Sequence, residues 1–102
     1  MRLKDSSVQM QGVRSEIIFA LNVADKVYDT YGKEMVITSA NDGNHSTTSL
    51  HYAGCAVDLR TNYFENDVAK EVTTEIKNRL NIDYDVIFEG NHIHLEFQPR
   101  RR

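Results

Sequence analysis

Tyr84-Asp85-Val86-Ile87-Phe88-Glu89-Gly90-Asn91-His92-Ile93-His94-Leu95-Glu96-Phe97 is the stretch that decides the fold class of this chain. Tyr84 to Phe88 is a β-rich run that reads as a strand, Gly90-Asn91 is a turn signal, and His92 to Phe97 reads as a second strand. Joined so tightly, the two strands form an antiparallel hairpin. Side chains alternate along a strand, so Ile93, Leu95 and Phe97 face one way, toward a core. His92, His94 and Glu96 face the other way and make an array of two imidazoles and a carboxylate. Pro99 ends the hairpin.

Upstream, Phe64, Val68, Val72, Ile76 and Leu80 recur every fourth residue and mark an amphipathic helix. Before it, Cys55 to Arg60 alternates as a strand, with Ala56, Asp58 and Arg60 on one face and Cys55, Val57 and Leu59 on the other. Residues 40 to 50 are polar almost throughout and carry no period, which predicts a loop, and a long loop in a small domain is often functional. Met35 to Thr38 is a short buried strand. Val13, Ile17, Leu21, Ala24, Val27, Tyr28 and Tyr31 fall at helical steps, and Gly32 is placed to cap that helix in the left-handed region. The order predicts an α+β fold: a small antiparallel sheet of about four strands with two helices packed on one side. The chain reads as a single domain over 1–102, with a flexible arm at 1–10 and a basic tail at 99–102.

Composition narrows the classes. At 102 residues, 40% hydrophobic and 26% charged, the chain fits one globular domain with a thin core. A net charge of -3 gives no electrostatic reason to expect nucleic acid. Arg100-Arg101-Arg102 reads as a solvated tail. The single cysteine, Cys55, excludes an internal disulfide and reads as a small buried residue rather than a nucleophile. No window is long and apolar enough for a membrane span, and the first residues have no signal-peptide pattern. Synthesis in a cytoplasm, with no secretory signal, is therefore the expectation.

Asp58 sits in an otherwise apolar run, which is costly for a charge unless it is paired or coordinated. Arg60, two residues on along the same face, could pair with it. A metal would account at once for Asp58, for His51 at the end of the polar loop, and for the hairpin histidines.

The residues Ser49-x-His51-x-x-Gly54-x-Ala56-x-Asp58 match the Ser-x-His-x-x-Gly-x-Ala-x-Asp signature of the zinc D-Ala-D-Ala metallopeptidases. That family includes carboxypeptidases, dipeptidases, phage endolysins, murein endopeptidases and the Hedgehog signalling domain. The late strand with His92-x-His94 resembles the family's second signature, and Asn41 to Ser46 resembles small phage-encoded members. The resemblance spans residues 35 to 98. It implies Zn2+ held by His51, Asp58 and His94, with an open position for the water that attacks a peptide carbonyl. Ser49, Arg60, Tyr52 and His45 become candidate substrate-binding residues. Each has a plainer reading as well: turn or surface residues for Ser49 and Arg60, a core aromatic for Tyr52 and a solvated loop histidine for His45.

The chain also departs from the family. Many relatives place an acid three residues before the ligand histidine as general base, where this chain has Asn91, and an amide cannot accept that proton. Glu89 or His92 could take over the role. Alternatively Glu89-x-x-His92 shifts the register and makes His92 the ligand. Residues 34 to 59 contain no Arg or Lys to clamp a free carboxylate, so Arg60 or Arg14 would have to do so, which favours an endopeptidase over a carboxypeptidase. The expectation is a monomeric hydrolase of peptidoglycan peptides, of phage or prophage type, acting at the bacterial cell wall once released or carried on a virion. The competing expectation is a zinc-binding structural or interaction module without activity.

Overall fold

The structure is a computed structural model and describes residues 1–40 and 55–99. It is α+β, with seven elements in the order β1 (Arg2–Leu3), α1 (Ser15–Thr30), β2 (Val36–Ser39), β3 (Ala56–Arg60), α2 (Asn66–Arg79), β4 (Tyr84–Phe88) and β5 (His92–Phe97). The strands form one sheet in the order β1-β2-β3-β5-β4. Among the described residues only β1 and β2 pair in parallel; the other three pairings are antiparallel. The sheet therefore has five strands where about four were expected, and it is mixed rather than purely antiparallel. The fifth comes from residues read as an arm: Arg2 and Leu3 pair with Val36 and Ile37, and Val8 is buried in the core.

The connections follow from the pairing directions. β1 and β2 run parallel, so the chain must cross over between them, and α1 is that crossover. β3 and β4 both run antiparallel to β5, so they too are parallel to each other and α2 carries the chain between them. The final strand then folds back into the gap. The β4–β5 hairpin is closed by the Glu89 N–H donating to the His92 carbonyl at 2.8 Å. Gly90 occupies the first turn position at φ +90°, as the primed turns of two-residue hairpins require.

Both helices pack on one face of the sheet. α1 contributes Ile17, Leu21, Ala24 and Tyr28 to the core, and α2 contributes Val72 and Ile76. They meet the inward residues of the strands: Ile37, Val57, Leu59, Val86, Ile93 and Leu95. α1 ends as its glycine predicts. Gly32 has φ +74°, its N–H donates to the Asp29 carbonyl at 3.0 Å, and the Lys33 N–H reaches the Tyr28 carbonyl at 3.1 Å. These are the two bonds of a Schellman cap, which satisfy carbonyls that the helix would leave unpaired. Cys55, just before β3, is half-buried rather than buried. Among the described residues no helix is long and apolar enough to cross a membrane.

Candidate functional site

The face of the sheet turned away from the helices carries the polar members of β3 and β5. Those strands pair in register, with Ala56 opposite Glu96, Asp58 opposite His94, and Arg60 opposite His92. Directly opposed residues of an antiparallel pair bring their Cβ atoms within about 4.5–5.5 Å, so residues far apart in sequence become contacts through register alone. Beside Asp58 the β2–β3 register shifts by one residue between Ile37 and Ser39. Such a bulge bends a strand and re-aims its neighbours, and bulges are frequent next to functional residues.

Asp58 and His94 meet at 3.0 Å, Oδ1 to Nδ1. The second ring nitrogen of His94 lies 3.2 Å from Glu96 Oε1. The imidazole is thus held between two carboxylates, with side-chain exposures of 17%, 18% and 14% for His94, Asp58 and Glu96. The hydrogen bond to Asp58 raises the His94 pKa above its ordinary value. Burial works against that rise, and the charges of Asp58, Glu96 and Glu89 add to it. His92 is the more exposed histidine. Its Nε2 lies 3.7 Å from the same Asp58 oxygen, and its Nδ1 lies 2.6 Å from Asn91 Oδ1. An amide oxygen only accepts, so His92 Nδ1 donates, and in the neutral ring Nε2 is left as the basic nitrogen.

The remaining candidates border this cluster. Glu89 is exposed at the end of the hairpin, across from His92, and its charge is felt at His94. Arg60 shares the face. Its carbonyl accepts the Tyr28 hydroxyl at 2.8 Å, and its positive charge acts on Tyr63. On β4, Ile87 stands opposite His94 and is 48% exposed, which gives the face an apolar margin. His45, Ser49, His51 and Tyr52 lie outside the described residues, as does the tail at 100–102.

Asp58 and His94 are suited to share a cation. Two ligands on one tetrahedral zinc, each about 2.0–2.2 Å from it, stand about 3.4 Å apart. The observed pair would open by roughly 0.4 Å to admit the ion. Among the described residues no group of three acidic, histidine or cysteine side chains makes a complete metal site. A cation held there would need a further ligand, and His51 is the residue that the first motif implies for it.

Two residues acquire contacts that the sequence reading did not assign. Glu96 was placed on the histidine face without a role, although its two-residue spacing from His94 was the available signal. Asn91 reads as part of the turn and as a missing acid, and its bond to the His92 ring depends on a side-chain rotamer that no spacing encodes. A groove at the end of α2 against β4, bordered by Lys77, Leu80, Asn81 and Ile82, contains no histidine, so the chemistry-bearing cluster is on the sheet face instead. No family model matches the chain, and no curated protein matches it significantly.

Proposed function

We propose that this chain is a zinc-dependent peptidase that hydrolyses amide bonds in peptidoglycan stem peptides or cross-links, next to a D-amino acid. The observation that carries the reading is the in-register opposition of Asp58 and His94, with Oδ1 and Nδ1 at 3.0 Å. It joins the aspartate of the first motif to the second histidine of the late strand, the pair that the family resemblance names as ligands. His94 is preferred to His92 as ligand because it is nearer to Asp58 and less exposed.

In this reading Asp58 and His94, with His51, hold Zn2+. When bound, the ion supplies a Lewis acid that polarises the peptide carbonyl and lowers the pKa of a water. His92 handles the proton: Asn91 holds its Nδ1–H, and Nε2 faces the Asp58 side of the cluster, where it can accept a proton and return it to the leaving amine. Glu89, at the hairpin end, adds negative charge beside the imidazoles and is the second candidate base. Ile87 offers an apolar contact suited to the methyl side chain of alanine. A phage or prophage lysin that meets murein on release, or on a virion, is the setting that suits this chemistry.

One observation favours a second reading, a zinc-binding module without activity. Asn91 stands where relatives carry the acid, and its amide oxygen is engaged by His92. Hydrolysis of purified murein by the zinc-loaded protein separates the two. The peptidase reading expects release of new amino groups that stops with a chelator and falls at least tenfold in His92→Ala, with Glu89→Gln reporting its share. Zinc-loaded protein that is inert on every murein type would sink the enzyme and leave the module.

A further inference from the structure

We infer that Glu96 is a positioning residue for the candidate metal centre, holding His94 in the tautomer and ring orientation that turn Nδ1 toward the cation. The inference rests on the zinc reading above and adds a residue to it.

His94 Nδ1 faces Asp58 Oδ1 at 3.0 Å and Nε2 faces Glu96 Oε1 at 3.2 Å. Ionised carboxylates only accept hydrogen bonds, while a neutral imidazole has a single N–H to donate. Without a cation a doubly protonated ring donates to both carboxylates; with one, a neutral ring donates from one nitrogen and coordinates with the other. Either side could in principle take the ion, because both separations are close to a ligand–ligand edge. The Asp58 side is the one the zinc reading requires, because Asp58 belongs to the first motif and Glu96 does not. The cation is thereby assigned to Nδ1 and the hydrogen to Nε2, where Glu96 receives it.

Glu96 is suited to that task by its place. It is on the same strand and face as His94, two residues along, and is mostly covered, with 14% side-chain exposure. Opposite it stands Ala56, fully buried and too short to compete for the ring. A metal-bound histidine generally passes its other N–H to a carboxylate or carbonyl, which fixes the ring and makes its ligating nitrogen more basic; losing that partner weakens metal binding by about 10–100-fold.

The test is the zinc dissociation constant of the whole chain, measured by competition with a chromophoric chelator, for wild type, Glu96→Gln and Glu96→Ala. The expected result is a loss of about 10–100-fold in Glu96→Ala. Glu96→Gln is expected to recover most of it, because a glutamine oxygen still accepts from Nε2–H. Nitrogen NMR of the zinc-loaded wild type should show the His94 hydrogen on Nε2. Unchanged affinity in Glu96→Ala would overturn the inference. So would a Glu96→Gln as weak as Glu96→Ala, which would make Glu96 a ligand. A wild type that binds no zinc would instead bring down the parent reading, and this one with it.

Discussion

The two faces of β5 are made from one alternating run of six residues, and they do opposite work. Ile93 and Leu95 are fully buried beneath the helices. His92, His94 and Glu96, interleaved with them, make polar contacts with Asn91, with Asp58 and with one another. The difference teaches how a thin domain keeps stability apart from chemistry. Burial is non-directional and grows with apolar area, whereas the polar contacts depend on register and ring orientation. Changes on the helix side should be read in denaturation, and changes on the histidine side in ligand binding.

The sharpest way to break this separation is Leu95→Ala. It should cost about 2–5 kcal/mol in urea or guanidinium unfolding, as core truncations do, and it leaves the polar face chemically intact. His94→Ala on the opposite side should abolish stoichiometric zinc in elemental analysis while costing far less in unfolding of the metal-free protein. If the two variants had equal effects on both readouts, the division between the faces would be false. Next in size is the metal itself. Zinc at one hundred times its dissociation constant should stabilise the wild type by about 2.7 kcal/mol, reversibly with chelator, and should leave His94→Ala unmoved.

A third change probes the seam between the layers. The Tyr28 hydroxyl reaches from α1 to the Arg60 carbonyl at 2.8 Å, and burial raises the Tyr28 pKa strongly. Tyr28→Phe should cost about 1–3 kcal/mol at neutral pH by leaving that carbonyl without its donor. The folded state keeps Tyr28 neutral, while the unfolded chain ionises it near pH ~10. Its contribution is therefore complete below that pH and is lost as pH rises above it. Alkaline unfolding should accordingly be less steep in Tyr28→Phe, with the part of the wild-type tyrosinate absorbance that this variant lacks appearing together with loss of helix. The smallest effect expected is from Gly90→Ala. No atom lies within 4 Å of the added methyl, so the cost is only that of φ +90° for a residue with a side chain, about 1–2 kcal/mol in thermal melts.

Much of this architecture was legible before any coordinates. Period two in His92–Phe97, helical steps from Ile17 to Tyr28 and from Val68 to Ile76, and Gly32 beyond the first helix are local signals, and local signals survive in a single sequence. β1 escaped because two residues cannot display a period, and only pairing with the distant β2 makes Arg2–Leu3 a strand. The strand order escaped for a related reason. Nothing in Tyr84–Phe97 says on which side of β5 another strand will lie, so the adjacency of β3 and β5 is a tertiary outcome. The candidate site divides in the same way. Asp58 and the histidines were visible as residue types that an apolar run tolerates poorly, but the meeting of Asp58 with His94 is set by a register linking positions 36 apart. The Asn91–His92 and His94–Glu96 contacts are matters of side-chain torsion, which composition and spacing do not determine.

The insertion of β5 between β3 and β4 has a consequence for the order of events during synthesis. A ribosome emits β3, then the crossover helix, then β4, and these leave a slot in the sheet that only the last strand can fill. Until residue 97 has cleared the exit tunnel, Asp58 has no histidine across from it and no cation can be shared between the two strands. The metal uptake proposed above would therefore be a late event that tracks completion of the sheet.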